Sequence, residues 1–225
     1  MLDRLQAPYA SVPTAEIAVR QQGGFRLYPV IKRVFDLAAV IITAPVTVPL
    51  IGTLAFLVRL DGGRAFYHQQ RLGKAGRIFT IWKLRTMVPD AEKRLAEHLE
   101  MNPVAREEWD KAQKLRDDPR ITRIGKYLRK YSLDELPQLL NVLLGDMSLI
   151  GPRPICVEQR KLYPGTAYYS LKPGLTGLWQ VNERNRCSFA ERAGYDTRYA
   201  KEMSLLLDLR ILSRTVLVVS RGTGL

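Results

Sequence analysis

Leu37-Ala38-Ala39-Val40-Ile41-Ile42-Thr43-Ala44-Pro45-Val46-Thr47-Val48-Pro49-Leu50-Ile51-Gly52-Thr53-Leu54-Ala55-Phe56-Leu57-Val58 is a run of 22 residues without a charged side chain, and its reading decides the fold. A helix of about 20 apolar residues crosses the hydrocarbon core of a bilayer, so the run has membrane length. Its flanks narrow the reading. Arg26, Lys32 and Arg33 precede it, and Arg59, Arg64, Arg71, Lys74 and Arg77 follow it. A simple spanning helix carries its positive excess on one side only. Pro45 and Pro49 fall near the middle, where a proline removes a helical hydrogen bond and destabilises by about 3 kcal/mol. A helix that breaks and returns accommodates all three features, and the sequence predicts this re-entrant membrane helix over 29–60. A kinked spanning helix and a buried core helix of a soluble domain are the alternatives. Asp36, close to Arg33, is expected in an interfacial ion pair, because an unpaired carboxylate deeper in a bilayer is costly.

Residues 1–28 mix Pro8, Pro13, Gly23 and Gly24 with polar side chains and show no period, which reads as a loosely ordered leader. Asp3 and Glu16, and the lack of an apolar core, argue against a secretory signal peptide. Residues 61–225 then form one domain. At 225 residues with 46% hydrophobic content the chain can bury a sizeable core. The formal net charge of +13 implies an anionic partner: nucleic acid, an acidic lipid surface or phosphorylated substrates. Cys156 and Cys187 lack metal spacing and suggest a reducing compartment. With His68 and His98 the only histidines, a zinc site or a histidine-based triad is not expected.

After the Asp61-Gly62-Gly63 turn, Ala65–Gln70 and Arg77–Lys83 flank Gly73-Lys74-Ala75-Gly76 as a small β-hairpin. Lys83-Leu84-Arg85-Thr86-Met87 closes it with cations, which serve either a bound anion or a solvated strand end. Pro89 to Lys114 is helical and highly charged, a surface excursion in which Trp109 packs or lies at an interface. Met203 to Val219 reads as an apolar-faced helix, packed on the core or lying in the membrane interface. Tyr163, Tyr168 and Tyr169 read as core, with an interfacial role as the alternative.

Between these lies Tyr131-Ser132-Leu133-Asp134-Glu135-Leu136-Pro137-Gln138-Leu139-Leu140-Asn141, a helix start capped by Ser132 or Asp134 with Pro137 in the first turn. Leu136, Leu139, Leu140, Leu143 and Leu144 are expected to form its buried face. Asp134 and Glu135 by themselves could merely complement the helix dipole, worth about 0.3–1 kcal/mol each. Two other features change their weight: Arg129 arrives just before them, and Arg153 follows, held between Pro152 and Pro154. An arginine so restrained is either a preorganised phosphate fork or part of a structural turn.

Taken in order, Lys32-Arg33 with Asp36, the break at Pro45, Lys83–Met87, Arg129 with Asp134–Gln138, Gly151-Pro152-Arg153-Pro154 and Lys172–Val181 resemble the bacterial sugar transferases. These are the monotopic polyprenyl-phosphate sugar-1-phosphate transferases, and the resemblance extends from Lys32 to the C-terminus. It is closest to the short exopolysaccharide-initiating branch that uses UDP-glucose or UDP-galactose, notably in Leu115–Arg120. The fold implied is α+β and mainly helical: a membrane-associated globular domain with a re-entrant membrane hairpin, a small β-hairpin and amphipathic interfacial helices. The implied reaction has two steps on the cytoplasmic face of the inner membrane. A carboxylate attacks the sugar-linked phosphate of a UDP-hexose and releases UMP, and undecaprenyl phosphate then takes the phosphosugar. By this match Asp134 is the nucleophile, and Glu135 is its partner in Mg²⁺ binding and acceptor activation. Lys83, Arg85, Arg129, Arg153 and Arg184 are the cations for phosphate, and Asp196 is a supporting carboxylate. An aspartate at a helix start is ionised at neutral pH and needs no separate base. Mg²⁺ and arginines offset the repulsion between two anions.

Two departures stand out. Ala44-Pro45 replaces the family's Ser-Pro at the hairpin break, and Asn182-Glu183-Arg184 replaces its Asn-Gly-Arg, setting a carboxylate beside Arg184. A nucleic-acid binder would explain the charge but not the apolar run, and no nucleic-acid motif is present. A catalytically silent membrane scaffold would explain the charge and the apolar run, but not Asp134 and Glu135 among cations. Neither the sugar nor the oligomeric state is readable.

Overall fold

A computed structural model describes residues 27–112, 115–182 and 189–222. The leader expected over 1–28 therefore falls almost wholly outside the described residues, as do Arg184 and Cys187. The apolar run lies in α1, Tyr28–Leu60, a 33-residue helix containing both Pro45 and Pro49. At 1.5 Å per residue it is about 50 Å long. The helical assignment runs unbroken, so two separate half-helices are not what the backbone forms. Threonines supply local bonds around the prolines, with Thr43 and Thr47 donating to Ala39 and Thr43 carbonyls and Thr53 to the Pro49 carbonyl. Only Asp36, Val40 and Val58 of this helix are buried, which removes the reading of α1 as a core helix of a soluble domain.

Both ends of α1 dock on the same body, and its middle does not. At the N-terminal end, Phe35, Ala39 and Val40 join the main core with Ile81, Val142, Met147, Leu149, Ile150, Leu178, Tyr199 and Ile211. At the C-terminal end, Val58 packs with Leu84 and Leu128, supported by Leu54 and Ala55. Between them Ile41, Ile42, Val46 and Val48 are exposed. The expected Arg33–Asp36 pair does not form. Asp36 is buried and accepts from the Leu149 N–H at 3.1 Å. Arg33 instead donates to the Val142 and Leu143 carbonyls, the C-terminal end of a short helix where a cation is favoured.

The predicted hairpin is present: β1, Phe66–Leu72, pairs antiparallel with β2, Ile78–Leu84. The charged excursion is two helices, α2, Ala91–Met101, and α3, Pro103–Ala112. Trp109 of α3 lies under the Arg120 guanidinium, 5.0 Å from ring centre to charge, so it packs. Helix α4, Arg123–Lys130, is capped by Thr122, which accepts from the Gly125 N–H. A side chain at Gly125 would run into the Thr86 carbonyl. Glycine thus lets α4 press on the end of β2 and brings Arg129 to Thr86, Nε to Oγ1 at 2.8 Å.

The segment after α4 departs from expectation in three ways. It is a 3₁₀ turn, Leu133–Gln138, before α5, Leu139–Leu144. Ser132 stands at the cap position in the left-handed region, φ 55°, and makes no side-chain cap bond, while Asp134 lies inside the turn. The residues α5 buries are Asn141 and Val142, whereas Leu140, Leu143 and Leu144 face outward. A six-residue helix cannot bury its whole apolar stripe against a body that touches one side only.

Two short parallel strands follow, β3, Ser148–Ile150, and β4, Gly174–Thr176. Tyr163, Tyr168 and Tyr169 are core, their rings meeting edge-on in a cluster that includes Leu72 and Ile155. Three helices complete the fold: α6, Leu178–Asn182, α7, Phe189–Glu202, and α8, Leu205–Ser220. Helix α8 divides its faces: Asp208 and Ile211 are buried, while Leu206, Leu209, Val216 and Leu217 are exposed.

Candidate active site

Strand β2 and the 3₁₀ turn are joined by one buried amide. Asn141 donates through Nδ2 to the Thr80 carbonyl at 2.8 Å and accepts from the Trp82 N–H at 3.2 Å. It thereby satisfies the free edge of the two-stranded sheet and fixes the height of the turn against it. Side chains alternate along a strand, so Lys83 and Ile81 share the face that meets the turn. Lys83 Nζ reaches Glu135 Oε1 at 2.6 Å. The loop after β3 contributes Arg153, whose Nη2 lies 2.8 Å from Oε1 and Nη1 3.3 Å from Oε2 of the same carboxylate. That loop is held tightly against β4, because side chains at Gly151 or Gly174 would collide with the opposing backbone.

The two adjacent carboxylates therefore differ in kind. Burial raises the Glu135 carboxyl, but Arg153 and Lys83 outweigh it and hold Glu135 well below the ordinary glutamate range. Asp134 is 8% exposed, and no hydrogen bond or ion pair reaches its carboxylate among the described residues. Burial, reinforced by the Glu135 charge, raises its carboxyl against the pull of Lys83 and Arg129. The helix start expected to favour its ionised form is a 3₁₀ turn here, and the carboxyl shifts upward. A single 3₁₀ turn has poorly aligned bonds, and removal from water outweighs its dipole. A desolvated carboxylate with no committed partner is more basic than an exposed one, which suits a nucleophile.

Lys83, Glu135 and Arg153 face a small open cleft of about 250 Å³, completed by Arg71, Ile81, Gln138, Pro154, Gly174 and Leu175. Three cations against one carboxylate make it a receptor for anions. Arg129 lies on the Asp134 side, where both Asp134 and Asp118 act on its charge. Arg85 is not part of this group. Its Nε donates to the Arg64 carbonyl and Nη1 to that of Met87, each at 2.9 Å, while Nη2 takes the Val58 and Gly62 carbonyls. A guanidinium has five N–H donors, and four of these are committed to pinning the end of α1. Asp196 also stands apart, buried on α7 and accepting from the Tyr163 hydroxyl. Burial pushes its carboxyl up to about 6. It connects to the site through Arg192, one turn away, which stacks on Trp179 at 4.3 Å and reaches the Arg153 carbonyl at 3.5 Å.

Sequence reasoning missed Arg71, Gln138 and Arg192. The period-two alternation that places Lys83 on the cleft face also places Arg71 there, since Lys83 pairs with Tyr67 and Arg71 lies four residues further on. Among the described residues no group of three or more histidine, cysteine, aspartate or glutamate side chains could cage a metal.

A family model for "Bacterial sugar transferase" matches residues 27–222. The Exopolysaccharide production protein ExoY of Sinorhizobium fredii is 43% identical over 95% of this chain and 93% of its own length. The undecaprenyl-phosphate galactose phosphotransferase of Salmonella typhimurium is 46% identical over 86% of this chain and 41% of its own length. A UDP-glucose:undecaprenyl-phosphate glucose-1-phosphate transferase of Caulobacter vibrioides is 40% identical over 82% of this chain and 68% of its own length. The chain thus spans 41% of the length of longer relatives and nearly all of a short one. The match covers α1, the hairpin, the acid pair and the cation-lined cleft together, and the chain belongs to the bacterial sugar transferase family.

Proposed function

We propose that the chain transfers a hexose 1-phosphate from a UDP-hexose to undecaprenyl phosphate at the cytoplasmic face of the bacterial inner membrane, beginning exopolysaccharide synthesis. The observation that carries this reading is the contrast within the acid pair: Glu135 locked between Lys83 and Arg153, Asp134 buried and uncommitted beside it. In the first step an Asp134 oxygen bonds to the sugar-linked phosphorus. The bridging P–O bond breaks, and its electron pair leaves on UMP. In the second step undecaprenyl phosphate attacks the same phosphorus and Asp134 is released. Lys83 and Arg153 offset the diphosphate charge, and Arg129 steadies Asp134 from the other side. Asp134 and Glu135 would hold Mg²⁺, which when bound further neutralises the phosphates. Galactose and glucose are the sugars in the relatives' names, and both are candidates here.

The docking of both ends of α1 onto one charged body supports a re-entrant placement in the membrane. A helix crossing the bilayer would carry one of those docked ends to the far side. The outward leucines of α5 and α8 extend the same apolar surface.

The test is UMP release from UDP-galactose and UDP-glucose with Mg²⁺ and undecaprenyl phosphate, alongside mass spectrometry of the enzyme after exposure to donor alone. A hexose-phosphate adduct on Asp134, absent in Asp134→Asn, is expected. Substantial turnover by Asp134→Asn would remove Asp134 as nucleophile. Cysteines placed at Arg26 and Arg64 should both resist an impermeant reagent added outside intact cells, whereas labelling of one flank alone would overturn the re-entrant placement.

A further inference from the structure

Among the described residues, Arg71 is the cleft cation that no carboxylate pairs. Its Nη2 donates to Gln69 Oε1 at 2.6 Å, and Nη1 contacts Cys156 Sγ at 2.6 Å and the Pro154 carbonyl at 3.5 Å. None of these partners is a carboxylate, and among the described residues no carboxylate lies within ion-pair distance of it. Its Nε is buried without an acceptor. A guanidinium in this state retains its whole charge and a free donor, and its plane matches two phosphate oxygens.

Its position in the hairpin says which phosphate it would meet. Lys83 stands opposite Tyr67, and Arg71 stands opposite Phe79, four residues along the same face. That separation is about 14 Å along the strands, at about 3.4 Å per residue. Lys83 and Arg153 both reach Glu135, the neighbour of the nucleophile, whereas the Arg71 guanidinium lines the same cleft beside the Pro154 carbonyl and does not pair with that carboxylate. The charges that act most strongly on Asp134 are Lys83, Glu135, Arg129 and Arg153. An attacking carboxylate must stand next to the sugar-linked phosphorus. A cleft cation that pairs with neither acid is placed for the other phosphate, the one that departs with the nucleoside.

We propose that Arg71 binds the nucleoside-side phosphate of the donor and stabilises the charge that develops on it as UMP leaves. This rests on the two-step reading above. As the Asp134–phosphorus bond forms and the bridging P–O bond breaks, the electron pair goes to the UMP oxygen. Arg71 then faces a phosphate whose charge has grown by one. No proton is moved by Arg71, which stays cationic throughout.

The step is isolated by two half-reactions. Arg71→Gln should slow UMP release from UDP-hexose by tenfold or more and weaken inhibition by added UMP by a similar factor. It should leave inhibition by uridine, which has no phosphate, unchanged. Adduct loaded slowly onto the variant should still pass to undecaprenyl phosphate within about twofold of the native rate, because UMP has already gone. Arg71→Lys should recover part of the loss. Gln69→Ala and Cys156→Ala, which remove its neighbours, should retain UMP inhibition. The proposal is overturned if Arg71→Gln and Arg71→Lys both bind UMP within twofold of the native protein. Equal weakening of UMP and uridine, or of both half-reactions, would overturn it by showing a structural strut. Should Asp134→Asn keep releasing UMP, the two-step reading fails instead, whatever Arg71 does.

Discussion

The Asp134 turn and the Asp208 hub are both buried acidic centres, and they are built on opposite plans. Asp208 is fully buried. Its Oδ1 accepts from the Tyr199 hydroxyl at 2.7 Å, and its Oδ2 from the Tyr28 hydroxyl at 2.8 Å and Lys32 Nζ at 2.7 Å. Every lone pair that matters is satisfied, and the partners come from α1 and α7 while Asp208 itself lies on α8, so this carboxylate is a three-helix joint. Asp134 has the same chemistry and nearly the same burial but no such partners. A buried polar group left unpaired costs stability. Saturation of partners, and not burial, separates Asp208 from Asp134.

The comparison breaks most sharply at the two aspartates themselves. Asp134→Asn should reduce UMP release on the order of 10⁴-fold or more, as removal of a nucleophile does. Its thermal midpoint in detergent should be equal to or above that of the native protein, because the substitution removes a desolvated charge. Asp208→Asn should do the reverse. Removing one partner of a buried ion pair costs about 3–5 kcal/mol, read as a lower urea midpoint, while the folded fraction keeps its turnover within severalfold.

Asp196 sharpens the contrast as an intermediate case, buried with one hydroxyl partner and with its carboxyl raised from 3.8 to about 6. The folded state therefore holds this proton more tightly than the unfolded one. Stability from this group is fullest below pH 4 and falls as pH rises through 6. Asp196→Asn should remove that fall and gain on the order of 1–3 kcal/mol at pH 7. Urea midpoints between pH 4 and pH 8 check it, and an unchanged slope would count against the raised carboxyl. The smallest effect is expected at Arg85. Arg85→Lys loses the fork that clamps the end of α1 and should destabilise by about 1–2 kcal/mol. Donor KM should stay native; a KM rise without loss of stability would return Arg85 to the phosphate-binding group.

The legible parts of this molecule are those written in short-range pattern. The 22-residue apolar run became α1, and the alternation around Gly73–Gly76 became the hairpin, because composition and period act over a few residues. The illegible parts depend on partners far along the chain. Arg33 is three residues from Asp36 yet bonds to carbonyls about 110 residues away. Leu140, Leu143 and Leu144 carry a core-like pattern but face outward, since periodicity marks an apolar stripe without saying whether protein or lipid covers it. Arg85 and Arg71 part for the same reason. Both are cations in or beside the hairpin, and only packing sends one to the end of α1 and the other to the cleft.

By itself the sequence determined a membrane-length helix, a small hairpin, and an Asp-Glu pair set among cations in the order of a known family. Local propensity and ordered motifs survive without knowledge of contacts. Only the tertiary structure decided that both ends of α1 rest on one body, that Glu135 is the carboxylate the cations hold, and that Asp134 is left free. Those outcomes depend on which donors come within about 3 Å of a given oxygen after the chain has closed on itself, a distance that no spacing along the sequence encodes.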